Sequence, residues 1–213
     1  MLAPTFYVKP GDEQFVPEVA HPHEDAGADI KAYVSQFNPE EIRAFYMGYH
    51  RLPPVASVSL KAHLYLDGRK FTQDLGTFLR ILETAGGAVL IKPGETVLID
   101  SGFKLLLPKP SELKTPFKGF VPVYQIVPRS GLACKHNIVV TNSPGIIDSG
   151  YRDWVKVSLT NNGKNYHAFS HGARIAQGLY SLVIDQTSNQ VTTSEEAVDE
   201  SQRGEGGFGS TAL

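Results

Sequence analysis

Between Ala56 and Leu66 apolar and polar residues alternate without a break, which puts Val58, Leu60, Ala62, Leu64 and Leu66 on one side of the chain. A period of two over that length predicts a strand with one buried face. Asp67-Gly68 follows directly and supplies a tight turn. Beyond it the period lengthens, and Leu75, Phe78, Leu79 and Leu82 fall on one stripe of a helix. Upstream, Asn38-Pro39-Glu40-Glu41 combines a capping side chain, a proline at the first helical position and acids in the first turn. That grouping predicts a second helix, from Pro39 to about Met47, just before Gly48. Residues 34–87 therefore read as an α+β unit with enough apolar positions for a small core of its own. Its Tyr46, Tyr49, His50 and Arg51 suit either a recognition surface or a cover over that core.

On both sides of this unit the pattern is that of short strands between Gly, Pro and Asn turns. Thr5–Val8, AGADIKAY at 26–33, Ala88–Ile91, Thr96–Ile99, Phe103–Leu107, GFVPVYQIV at 119–127 and GARIAQGLYSLVI from Gly172 onward all read as strands. Val155–Leu159 and Tyr166–Phe169 are expected to form a hairpin through Asn161-Asn162-Gly163. Leu132–Lys135 makes one helical turn, closed by Asn137 in a left-handed conformation. The stretch NSPGIIDSGYRDWVKV, Asn142–Val157, reads as a Ser-Pro-Gly turn, two β-branched residues, Asp148, a Ser-Gly turn and a further strand. It is expected to hold Asp148 at the mouth of a hairpin. So many short strands at close turn spacing predict an all-β, double-sheet jelly roll. After Asp185 the chain turns polar and acidic and ends in RGEGGFGSTAL, from which no core can be built.

Composition narrows the functional classes. A chain of 213 residues with 14 Pro and 20 Gly suits one turn-rich domain with an elaboration. A formal net charge of -2 offers no field to attract nucleic acid or an anionic membrane, so an anionic ligand has to be met by local cations. The single cysteine, Cys134, excludes an intramolecular disulfide framework and a cysteine-based zinc site, and it fits a reducing compartment. No apolar stretch has signal-peptide character or membrane-spanning length. The expectation is a soluble cytoplasmic protein with neither a nucleic-acid nor a membrane partner. His21, His23, Glu24 and Asp25 have ligand chemistry but no partner motif, and they read as a solvated link.

Three arginines stand beside small residues: Arg129 before Ser130-Gly131, Arg174 shortly before Gln177, and Arg203 in the glycine-rich tail. A guanidinium fork and exposed backbone N–H groups are the two protein devices for gripping phosphate. The tail is not a Walker loop, since it lacks the Gly-Lys-Ser/Thr ending and a following helix. Phe208, with no core to enter, suits stacking on a nucleobase. Glycines at 145 and 150 let the backbone bend sharply around Asp148, and Gly27 allows close approach beside Asp29.

AGADI, PRSGLACKH, NSPGIIDSGYRD, GARIAQ and RGEGGFGST occur in the order and wording of the five motifs of the homotrimeric dUTPase family, which the chain resembles. The resemblance implies a distorted jelly roll (β-clip) over residues 1–33 and 88–202, an inserted lobe at 34–87, and a C-terminal arm at 203–213 that closes over nucleotide. It further implies a homotrimer with active sites at subunit interfaces and magnesium-dependent hydrolysis of dUTP to dUMP and pyrophosphate. Asp148 matches the water-activating acid, Asn142 the uracil-binding residue in the same stretch as Gly145 and Ile147, and Tyr151 the ring beneath the deoxyribose that excludes a 2′-hydroxyl. Arg129, Ser130, Gly131 and Gln177 match phosphate contacts. Arg203, Phe208, Gly209, Ser210 and Thr211 match the arm, and Asp29 matches an acid linked to the metal only through water. Departures are Asp153-Trp154, where the family has Gly and an acid, Ala173 in place of an acid, and Gly178 in place of an apolar residue. The related dCTP deaminases carry a second serine and a catalytic glutamate where this chain has Gly131 and Ser158. A nucleotide-sensing role, with residues 34–87 meeting a protein partner, is the reading from a different class.

Overall fold

The computed structural model describes residues 3–35, 37–51 and 63–188. Its strands are β1 (Thr5–Val8), β2 (Ala28–Lys31), β3 (Leu64–Leu66), β4 (Arg69–Lys70), β5 (Ala88–Ile91), β6 (Thr96–Leu106), β7 (Phe120–Pro128), β8 (Ile138–Val140), β9 (Gly145–Asp148), β10 (Trp154–Asn161), β11 (Tyr166–Ser170) and β12 (Arg174–Ile184). The helices are α1 (Pro39–Arg51), α2 (Leu75–Thr84) and α3 (Ser130–His136). Among the described residues the strands form three four-stranded sheets, ordered β1-β6-β10-β8, β4-β3-β11-β5 and β2-β12-β7-β9. No helix among them is long and apolar enough to cross a membrane.

The first and third sheets close on a common core. Phe103, Leu105, Val155, Val157 and Leu159 come from one side, and Ile30, Tyr124, Ile126, Ile175 and Ala176 from the other. The remaining sheet is two-faced because successive strand residues point to opposite sides. Ile91 and Phe169 enter the main core, whereas Ala88, Leu90 and Ala168 face a second core with Ile42, Leu64, Phe78, Leu79 and Leu82. The stripe predicted for α2 is thus the face it buries, and Asp74 caps the helix by accepting from the Thr77 amide at 2.9 Å. Burial of each large side chain contributes roughly 2 kcal/mol.

The described residues of 34–87 pack with the main body. β3 pairs in parallel with β11, Leu64 opposite Tyr166 and Leu66 opposite Ala168, so the segment extends a sheet of the main body and shares its second core. Asp67 and Gly68 take positive φ of 51° and 79° and turn β3 back into β4, as their sequence predicts. The rest of the alternating run, up to residue 62, lies outside the described residues. α1 continues through Gly48 to Arg51 instead of stopping near Met47: a single glycine costs only about 1 kcal/mol and carries no cap here.

Neither expected hairpin forms. β10 stays in the first sheet, while β11 joins the sheet of β5. The turn between them carries the chain across layers, and Asn161 fixes it by donating to the carbonyls of Ile91 and Asn165 at 3.1 and 2.8 Å. Likewise β9 pairs with β7 and not with β10, so Asp148 ends an edge strand and residues 149–153 cross between sheets. The two strands expected at 96–107 are one. Gly102, at φ +78°, bends β6 where a Cβ would lie 2.8 Å from Tyr33 and 2.9 Å from Phe15.

Where β3 meets β11, His167 is 1% exposed, stacked on Tyr65 at 4.9 Å and 5.1 Å from His136. Neither of its ring nitrogens has a partner among the described residues. Burial, reinforced by the neighbouring His136, pushes its pKa down to about 4. The unfolded chain binds this proton near pH 6.5, so the stability from a neutral His167 is full above that pH and is lost as pH falls toward 4. The expected loss is on the order of 3 kcal/mol. Urea midpoints between pH 7.5 and 4 should fall, and fall less in His167→Phe; parallel curves for the two proteins would show that His167 does not carry the effect.

Candidate functional site

β2 lies beside β12 with Asp29 opposite Gln177, and β12 in turn lies beside β7, whose end delivers Arg129. This convergence brings three charged side chains together. Asp29, 9% exposed, accepts from Arg129 Nε at 2.9 Å on Oδ1 and from Arg174 Nη1 at 3.0 Å on Oδ2. Arg129 Nη1 also donates to the Arg174 carbonyl at 3.4 Å. A buried carboxylate shared by two guanidinium groups is fully committed, and the trio keeps one net positive charge. Arg129 caps α3, with Leu132 and Ala133 both donating to its carbonyl at 3.0 Å. The Ser130 and Gly131 amides come too early in the helix to have helical acceptors. Gly131 has open space where a Cβ would stand. Asn137 closes the same helix at φ 56°, as expected from the sequence. Gln177 packs over Gly27, where a Cβ would sit 3.6 Å from its amide.

A cleft of 620 Å³ opens beside Arg129 and Arg174, walled by Ala173 and by Arg69, Lys70 and Phe71 of the β3–β4 hairpin. The sequence reading missed Arg69 and Lys70. Their signal is a basic pair directly after the Asp-Gly turn, which becomes meaningful only once β3 is known to pair with β11.

A second group lies along β9 and the loops at its two ends. Asn142 is exposed just before β9, with its amide resting 3.4 Å from where a Gly145 Cβ would be, so Gly145 leaves that amide room. Ile147 is opposite Tyr124, and Asp148 opposite Val123. The Tyr151 amide donates to the Asp148 carbonyl at 3.0 Å. The Tyr151 ring, 37% exposed, is tethered by its hydroxyl, which donates to the Trp154 carbonyl at 3.0 Å. Arg152 Nη1 donates to the carbonyls of Ser149 and Tyr151 at 2.8 and 2.7 Å and stiffens the crossing. The Asp148 carboxylate is exposed and has no protein partner among the described residues. Along β7, Arg129 lies six positions beyond the residue opposite Asp148, about 20 Å at strand rise. One chain therefore holds the two groups apart. Arg203, Phe208, Gly209, Ser210 and Thr211 lie outside the described residues.

Gly178, Trp154 and Asp153, three of the departures from the motifs, have local surroundings that account for them. A Cβ at Gly178 would collide with the ring of buried Tyr124, which occupies the space of the missing side chain. Trp154 lies between Lys9 and Lys104, whose amino groups are 5.5 and 5.2 Å from the ring centroid, and against Tyr7. Asp153 accepts from the Trp154 amide at 2.7 Å. Ser158 donates to Thr141 at 3.0 Å within a network of hydroxyls. No carboxylate stands at that position.

The all-β layers are those of a jelly-roll-like fold that carries an arginine-rich polar face, and the comparisons make the family explicit. The dUTPase family model matches residues 89–212. The deoxyuridine 5'-triphosphate nucleotidohydrolase of Desulfotalea psychrophila is 39% identical over 161 residues, covering 70% of this chain and 95% of the relative. That of Rhizobium etli is 36% identical over 168 residues, covering 78% and 98%. The solved dUTPase of Staphylococcus bacteriophage 80alpha with dUPNHPP has a similar fold, with TM-score 0.58 at 17% identity over 100% of both chains. The chain belongs to the dUTPase family.

Proposed function

We propose that the protein hydrolyses dUTP to dUMP and pyrophosphate, with Asp148 activating the attacking water. The observation that supports this most directly is the contrast between its two motif acids. Asp29 is neutralised by two arginines, whereas Asp148 is exposed and unpartnered among the described residues. An acid without a protein partner is able to orient a water and accept its proton. Arg129, the Ser130 and Gly131 amides and Gln177 are assigned to the phosphates. Asn142, with the β9 backbone at Gly145 and Ile147, is assigned to uracil, and Tyr151 to the deoxyribose, where its tethered ring obstructs a 2′-hydroxyl. Arg203, Phe208, Gly209, Ser210 and Thr211 are assigned to a closing arm.

Magnesium fits this arrangement as a companion of the triphosphate. Each Asp29 oxygen accepts from an arginine, which fits the role the resemblance implies, an acid linked to the metal through water. When bound, the ion neutralises phosphate charge. The separation of Asp148 from Arg129 within one chain supports a homotrimer in which neighbouring copies complete each site. Ser158 and Gly131, where a deaminase has glutamate and serine, weigh against conversion of dCTP.

Pyrophosphate release from dUTP, dTTP, UTP and dCTP is the direct test. Release confined to dUTP is expected, and deamination of dCTP, or equal release from UTP, would overturn the assignment.

A further inference from the structure

We propose that the cleft between the β3–β4 hairpin and the Arg129–Arg174 pair binds the outer diphosphate of the nucleotide and the pyrophosphate it becomes, with Arg69 and Lys70 as binding residues. The inference rests on the phosphate role proposed for Arg129 and extends it to a segment outside the five motifs. Four cationic residues, Arg69, Lys70, Arg129 and Arg174, are among those that line this one cleft. Its lining acid, Asp67, and Asp29 beside the two arginines are already engaged. Asp67 accepts from the Ser170 amide and hydroxyl at 2.8 and 2.7 Å, and Asp29 is held by the two arginines. Four cations against two acids leave a formal charge of +2 around the cleft, on a chain whose net charge is -2. Neither Arg69 nor Lys70 has a carboxylate partner among the described residues; Lys70 Nζ lies 3.4 Å from His63 Nε2. A local positive site with uncommitted donors is what a multiply charged anion requires.

The hairpin is held in place for this task. β3 is paired with β11, the Asp67 carboxylate is locked to Ser170, and the Tyr46 hydroxyl donates to the Gln73 carbonyl at 2.7 Å just beyond β4. The two cations are thus carried on structure continuous with the sheet. Because Arg129 belongs both to this cleft and to the phosphate face beside Ser130 and Gly131, the anion there is continuous with the nucleotide. The diphosphate portion meets that condition, and dUMP alone does not need the cleft.

The test is calorimetric titration of the full chain with inorganic pyrophosphate and, separately, with dUMP, for wild type and Arg69→Gln/Lys70→Gln. Both side chains are exposed, so the double variant should keep its circular dichroism spectrum; Lys70→Glu serves as an independent second variant. Pyrophosphate affinity is expected to fall about tenfold in the double variant, with a shallower salt dependence, while dUMP affinity stays within twofold. Pyrophosphate affinity unchanged in both variants overturns the proposal, as does an equal weakening of dUMP, which would mark a general distortion. These titrations stand apart from turnover: a wild-type protein that binds pyrophosphate through Arg69 and Lys70 but fails to hydrolyse dUTP would refute the proposed function and leave this site in place.

Discussion

Asp148→Asn is expected to leave a stable, folded protein whose turnover of dUTP is lowered roughly 10²–10⁴-fold, the cost of losing a general base. The stability half of the expectation comes from the structure: the carboxylate is exposed and has no hydrogen-bond or ion-pair partner among the described residues, and the β9–β7 pairing depends on backbone groups. Asparagine preserves the side chain's shape, so dUTP affinity should stay within an order of magnitude. Steady-state kinetics with a binding titration separates the two quantities, and wild-type turnover in the variant would remove Asp148 from the mechanism. Mixing supplies a second reading. Asp148→Asn and Arg129→Ala, each inactive alone, should regain activity when co-refolded, because within one chain the two groups lie about 20 Å apart along β7. No rescue would mean that each site is completed within a single chain.

Gly178→Leu, which restores the apolar residue usual at this motif position, is expected to be among the most destabilising substitutions. A Cβ there would collide with the hydroxyl and Cζ of Tyr124, which is buried between β7 and its neighbours. Neither strand can retreat, since β12 and β7 are paired from Ala176 opposite Pro128 to Ile184 opposite Phe120. Overpacking of this kind costs about 3 kcal/mol or more, which in a chain of this size lowers Tm by about 10 °C. Pairing the change with Tyr124→Val should recover most of the loss. A thermal melt of Gly178→Leu indistinguishable from wild type would show that the tyrosine moves aside freely.

The sequence revealed elements whose causes are local. The α2 stripe, the Asp67-Gly68 turn, the strand that delivers Arg129 and the left-handed Asn137 all follow from neighbouring residues, and the structure contains each of them. The motif positions likewise point to Asp29, Arg129 and Gln177, which the fold brings together. What stayed hidden are relations between distant segments. A turn signal says that the chain reverses but not which sheet receives the next strand, so β9 with β10, and β10 with β11, were read as hairpins when each pair divides between sheets. Gly178 looked like a missing side chain because the ring that replaces it belongs to residue 124. Arg69 and Lys70 belong to none of the motifs, and their place beside Arg129 depends on Asp67 being locked to Ser170, 103 residues away.

The parallel pairing of β3 with β11 sets a limit on pruning the chain. Excising residues 34–87 would strip β11 of the bonds that tie Tyr166 to His63 and Ala168 to Asp67, leaving β5 and β11 as a bare two-stranded remnant. Ala88, Leu90 and Ala168 would lose their cover at the same stroke. An uncapped edge beside an apolar patch is a template for sticking to other chains, so a minimised version of this protein would come out of solution as aggregate before its chemistry could be assayed.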